Sequence, residues 1–237
     1  MKAILGIVLG STLVTGSAVA LAQTADPPNL SSTKAPAEVS FQFDRTGLPV
    51  PRFTLSLHEN GTGTYKADQA EIPATPTSMR GQAAQHIDRS INITPATVSK
   101  IFKAARALNY FNIECASHAK NIADTGKKTL TYTGTDGAGS CTYNYSENKS
   151  VDTLTSSFLG IAYTMDEGRR LDFLHRYDRL GLDAEMISLG RELDAGRALE
   201  LGTIQPVLAA IVDDPALIQR VRLRAQKMLE RVAAENH

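Results

Sequence analysis

Excess charge of either sign is missing from this chain. Its 237 residues carry 25 Lys plus Arg against 25 Asp plus Glu, a formal net charge of zero. A protein that holds nucleic acid by bulk electrostatics shows a clear basic excess, so the balance argues against that class. Cysteine is scarce. Two thiols, Cys115 and Cys141, cannot make a four-thiolate zinc site or a disulfide-dense mini-protein. No Gly-X-Ser-X-Gly elbow, His-Glu-X-X-His helix or phosphate-cradling Gly-X-X-X-X-Gly-Lys loop occurs. Beyond residue 22 no apolar run reaches about 18 residues, so no stable membrane span is expected in the mature chain.

What is present begins with a targeting pattern. Lys2 is the only charge before Asp26, and an apolar run extends from Ala3 to Ala22. Ala20-Leu21-Ala22 offers a peptidase the small residues it needs, which predicts a signal peptide over 1–22 cut between Ala22 and Gln23. The competing reading is an uncleaved anchor of similar length. Export, periplasmic or secreted, puts both thiols in an oxidising compartment and predicts a Cys115–Cys141 disulfide. The sharper alternative is a reactive thiol or a metal pair with His118.

Residues 23–37 contain three prolines and no apolar periodicity, and read as a flexible tether. Composition then shifts. Residues 23–162 hold 31 Ser plus Thr, whereas residues 163–237 hold 3. The first region has the hydroxyl-rich, β-branched look of strands and turns; the second has the Leu, Ala, Arg and Glu of helices. The expected fold class is therefore α+β. Antiparallel hairpins pack on two helices over 38–162, and a small helical bundle follows over 163–237.

Particular signals carry this reading. Val39, Phe41 and Phe43 alternate with polar residues, as do Phe53, Leu55 and Leu57. Asn60-Gly61 suits a hairpin turn. Residues 68–82 read as a loop, and 87–93 as another strand. Thr94-Pro95 starts a helix that ends near Asn109-Tyr110. Leu130 and Tyr132, a turn at Asp136-Gly137, then Cys141, Tyr143 and Tyr145 make a second hairpin. A helix follows Ser150. Asp214-Pro215 predicts the start of the last helix, 215–233. Phe53-Thr54-Leu55-Ser56 with Gly61, Ile91 to Phe111 and Thr129 to Tyr145 resemble an uncharacterised α+β domain of secreted bacterial proteins. The resemblance spans residues 38–162 and implies no activity.

Candidate chemistry is thin. His58-Glu59 precedes the Asn60-Gly61 turn, and His86 and Asp88 share one face of a strand. Either pair has the composition of a general base with an orienting carboxylate, or of a polar strand surface. His175 with Asp172 and Asp178 lies on one helix flank, and Asp213-Asp214 adds carboxylates. Arg176 and Arg179 nearby would repel a cation, so no metal and no cofactor is expected. On the last helix Arg220, Arg224, Lys227 and Arg231 form a basic stripe beside the apolar face, with Asp213, Asp214 or Glu192 as candidate neutralisers. The stripe suits an acidic partner or an anionic membrane surface. Five of nine asparagines (Asn29, Asn60, Asn92, Asn144 and Asn148) head Asn-X-Ser/Thr triplets, which matter only on a glycosylating secretory route. The sequence thus points to an exported, non-catalytic binding or protein-interaction module with an envelope partner. The alternative is a hydrolase using His58/Glu59 or His86/Asp88.

Overall fold

A computed structural model describes residues 36–71 and 83–235. The proposed signal peptide, its Ala22–Gln23 cleavage site, Asn29 and nearly all of the proposed tether lie outside the described residues. The chain is α+β. Its strands are β1 (Glu38–Asp44), β2 (Arg52–His58), β3 (Thr62–Gln69), β4 (Gln85–Asn92), β5 (Lys127–Thr133) and β6 (Ala138–Tyr143). Its helices are α1 (Pro95–Ala107), α2 (Lys149–Tyr177), α3 (Leu182–Asp194), α4 (Gln205–Asp213) and α5 (Gln219–Glu235). The strands form one antiparallel sheet in the order β4-β3-β2-β1-β5-β6. No helix among the described residues is long and apolar enough to cross a membrane.

The alternating sequence pattern becomes two unlike faces. Phe41 lies opposite Leu55 on one side and Leu130 on the other, and Leu130 opposite Cys141. These side chains are buried on one face of the sheet. The other face carries Ser40, Thr54, Ser56, Thr64, Thr131 and Ser140, because successive side chains of a strand point to opposite sides. Hydroxyl pairs Thr129–Thr142 (2.9 Å) and Thr131–Ser140 (3.0 Å) run across it.

Helix α2 crosses the buried face from one edge to the other. Asn148 caps it, its side chain accepting from Ser150 N and Val151 N. Thr155 meets the Tyr143 hydroxyl on β6, Phe158 stacks on Phe41 of β1 at 5.1 Å, and Asp166 reaches the neighbourhood of Tyr65 on β3. At 1.5 Å per residue its 29 residues span about 43 Å, so its last turns overhang β4. The first hydrophobic cluster ends on this helix at Met165, and a second, shared with α3, α4 and α5, begins at Leu171. The compositional change at 162–163 therefore falls inside one continuous helix. Gly168 lets the second cluster approach, since a Cβ there would sit 2.2 Å from Ile204.

Local readings differ in two places. Thr94 is the N-cap residue of α1, but its hydroxyl does not cap the helix. Thr94 N and Oγ1 both donate to the buried Glu200 carboxylate, at 2.8 and 2.7 Å, which ties α1 to the helical region. Helix α5 begins at Gln219, not Pro215. Asp214 instead closes a turn, accepting from Ala216 N at 2.9 Å while His175 and Arg179 hold its other oxygen.

The two sheet edges are treated differently. After α1 the chain passes through Asn109, Tyr110 and Phe111, all with positive φ. This left-handed run buries Phe111 and lays Tyr110 against Tyr132, with ring centroids 5.0 Å apart. It is possible only because Gly137 and Gly139 leave room: a Cβ on either would lie 2.5 Å from Tyr110. The chain then follows β6, where Cys115 and Cys141 form a disulfide and Ser117 N donates to Tyr145 O. Edge β6 is thus strapped. Edge β4 has no comparable strap among the described residues.

Candidate functional site

A broad open concavity among the described residues lies where α2 overhangs β4. It encloses about 910 Å³ and is lined by residues 83–89 with Arg169, Asp172, Phe173, Arg176 and Tyr177. Strand periodicity explains one wall. Arg89 stands opposite Tyr65 in register, so it projects toward the helix side of the sheet, yet it stays exposed beyond the end of the core. Arg89 makes no hydrogen bond or ion pair among the described residues. Helix periodicity builds the other wall. Residues 169, 172, 173, 176 and 177 recur at three- and four-residue spacing and share one flank. The Phe173 and Tyr177 rings meet in a tilted arrangement with centroids 5.1 Å apart. Arg169 pairs with Asp166 at 2.6 Å and Arg176 with Asp172 at 2.8 Å. The cleft thus combines three arginines, two aromatic rings and a strand edge whose outward peptide groups face away from β3.

The histidine candidates are placed apart. His86 Nδ1 lies 2.8 Å from Asp68 Oδ1 across the β3–β4 ladder, not against Asp88. Asp88 pairs with Lys66 at 3.3 Å. His58 sits 3.8 Å from Glu38, and the neighbouring Glu59 is turned away to chelate Arg106 at 2.7 and 3.0 Å. The two proposed pairs, His58/Glu59 and His86/Asp88, are therefore not hydrogen-bonded dyads. Register also separates them. Arg52, Asp68 and His86 share one end of the sheet, while His58 ends β2 about 20 Å along the strand.

Arg106 organises that far end, a role the sequence did not single out. It donates to Glu59 and to Asp136 (2.8 Å), and its guanidinium lies over the Phe102 and Tyr132 rings. The Tyr132 hydroxyl donates to Asp136 at 2.7 Å. Arg106 holds the Asp136 carboxyl below its ordinary range. Burial, then the bond to Asp136, pushes the Tyr132 phenol up to about 12. Every polar group here is spent on its neighbours, which makes this a structural knot joining α1 to two hairpin turns.

The basic stripe is largely neutralised, by different residues than expected. Asp183 of α3 takes Arg220 (3.0 Å) and Arg224 (3.2 Å), and Asp194 takes Arg231 (3.0 Å). Lys227 alone of the four has no ion pair among the described residues. Glu192 is bound to Arg197 and Asp214 to His175, so neither they nor Asp213 serve the stripe. The reason is packing: α5 packs chiefly against α4 and also meets α3, whose Asp183 and Asp194 are the carboxylates within reach of the stripe. On α2, His175 is 2.9 Å from Asp214, Asp172 is held by Arg176, and Asp178 joins neither. No group of three or more His, Cys, Asp or Glu among the described residues is placed to hold a metal ion. Of the Asn triplets, Asn144 bonds Thr125 N and Ala123 O, Asn148 caps α2, and Asn60 accepts from Thr62. Asn92 is exposed at the end of β4.

Sequence reasoning missed Arg89, Arg169, Phe173 and Tyr177. Their only signal was spacing on a flank whose partner strand lies some 80 residues earlier in the chain. No protein-family model matches the chain, and no curated protein matches it either.

Proposed function

We propose that this chain is an exported, non-catalytic binding module, and that it docks an extended segment of an envelope protein along β4, under the overhang of α2. One observation carries the reading: β6 is strapped by a disulfide-bonded segment, whereas β4, with no such strap among the described residues, fronts a cleft of about 910 Å³. An added strand would take backbone hydrogen bonds from β4, and alternate side chains would meet the cleft wall. Arg169 is matched by Asp166 and Arg176 by Asp172, so Arg89 is the cleft cation with no ion pair among the described residues, and it suits an acidic residue in the bound segment. Phe173 and Tyr177 suit an apolar one. The neutralised stripe on α5 is the weaker docking surface. Helices α3, α4 and α5 act in this reading as a small bundle that holds the overhang of α2 in place. The disulfide, the apolar N-terminal run and the resemblance to a secreted bacterial domain support export.

Selection of displayed heptapeptides on residues 23–237 tests the proposal. The expected result is enrichment of sequences alternating an acidic with an apolar residue. Arg89→Glu and Phe173→Ala should each weaken binding about tenfold or more, as loss of a charge-assisted contact or a buried ring does. Equal enrichment on the double variant would overturn the reading. A hydrolytic role keeps one specific observation, the 2.8 Å His86–Asp68 contact beside the cleft. Turnover of a selected peptide that disappears in His86→Ala would favour it.

A further inference from the structure

Two carboxylic side chains meet in the seam between α2 and α3. Glu167 is 6% exposed and Glu185 is 9% exposed. Arg170, one turn along α2 from Glu167, reaches across to Glu185 of α3, which places both carboxylates on this seam. Among the described residues one cation serves the pair: Arg170 Nε stands 2.9 Å from Glu185 Oε2. Glu167 Oε2 is buried with no hydrogen-bond partner among the described residues.

Among the described residues no second cation forms an ion pair with either carboxylate, and Arg191 of α3 is exposed. On α2, Asp166 adds negative charge and is held by Arg169, while Tyr163 is a phenol that burial, then Glu167, Glu192 and Glu185, push up to about 12. On α3, Glu192 belongs to Arg197 and Asp183 to Arg220 and Arg224. The segment 201–213, which brings Ile204 against Gly168, contains one ionisable residue, Asp213. On α1, Arg106 is bound to Glu59 and Asp136, while Lys100 and Lys103 are exposed; Glu200, outside that helix, is spent on Thr94.

Two buried carboxylates with one arginine cannot both ionise without a large cost. A proton on Glu167 resolves the problem. It lets Glu167 donate to Glu185, which accepts from Arg170 as well, and no oxygen is left as an unserved anion. We propose that Glu167 and Glu185 are a proton-operated latch between α2 and α3, closed while they share a proton and loosened when Glu167 ionises. Burial, then the bond to and charge of Glu185, raise the Glu167 carboxyl to about 8.

The sign follows from linkage. The unfolded chain releases this proton near the ordinary carboxyl value, and the folded chain keeps it to about 8. Folding therefore takes up a proton in that window, and the folding equilibrium weakens as pH rises through it, by up to tenfold per pH unit. The latch favours a mildly acidic setting, and its release frees the α3 side of the helical region first.

Carbon-13 NMR of the glutamate carboxyls in the unaltered chain is the direct test. One carboxyl, assigned to Glu167 by its absence in Glu167→Gln, should titrate near 8; a midpoint for Glu167 below about 6 overturns the latch. Hydrogen exchange, corrected for intrinsic rate, should show amides 182–194 losing protection about tenfold between pH 6.5 and 8.5, and Glu167→Gln should abolish that change. An equal pH response in Glu167→Gln also overturns it. Both readouts are independent of any peptide bound at β4.

Discussion

At the scale of single residues, Arg106 shows how much one side chain can hold. Its planar fork serves Glu59 and Asp136 together and covers two aromatic rings. Arg106→Ala should lower unfolding free energy by about 1–3 kcal/mol, and Arg106→Lys should recover less than half, because an ammonium cannot chelate one carboxylate while reaching another. Urea denaturation of the three proteins measures this. The Tyr132 phenol should titrate at still higher pH in Arg106→Ala, because the guanidinium charge that is lost favours the phenolate. The candidate histidines were legible in the sequence as residue types, but not their partners. His86 and Asp88 share a strand face, yet residues two apart on one strand stand farther apart than directly opposed cross-strand neighbours. Asp68, eighteen positions away, therefore takes the imidazole. Arg89 was hidden for the same reason: only the register with Tyr65 reveals which way it points.

At the scale of elements, the strap over β6 is the least regular and most constrained segment. Closing the 26-residue separation between Cys115 and Cys141 is worth about 3.5 kcal/mol on chain-entropy arithmetic. Cys115→Ser with Cys141→Ser should lose about 2–4 kcal/mol in urea denaturation, and the non-reduced chain should show no alkylatable thiol. Gly137→Ala should cost about 1–3 kcal/mol, because its methyl would enter the Tyr110 ring. Strands β1, β2 and β5, the turn at Asn60-Gly61 and the start of α1 were legible, since alternation and cap chemistry act over a few residues. The left-handed Asn109-Tyr110-Phe111 run was not, because two glycines nearly thirty positions on make room for it. The start of α5 was misread for a similar reason. Asp214 looks like a helix cap in sequence, but His175 and Arg179 recruit its carboxylate into a separate turn.

At the scale of the whole molecule, α2 belongs to both hydrophobic clusters, and Glu200 bonds back to Thr94. The two clusters should unfold together. Phe158→Ala in one and Leu189→Ala in the other, each expected to cost about 2–5 kcal/mol, should lower a single thermal midpoint, with far-ultraviolet and tyrosine signals coinciding. Two separate transitions would refute this. Acid should act at the same scale. Asp136, Glu192 and Asp214 are all held below their ordinary carboxyl range, chiefly by Arg106, Arg197 and His175 respectively. Groups with depressed folded values stabilise above their unfolded value and lose that contribution as pH falls through the folded one. The melting temperature should therefore drop as pH falls below about 4.

The central position of β1 has a consequence for how the chain is made. Its partner β2 follows at once, but its other partner, β5, arrives about 90 positions later, where Phe41 meets Leu130. A chain emerging from its amino end would form β1 to β4 early and then wait. During that interval the open side of β1 presents Val39, Phe41 and Phe43 beside unpaired peptide groups, the arrangement most prone to pair with another chain. The nascent protein would be safest when a holding chaperone occupies that side until the second hairpin is delivered.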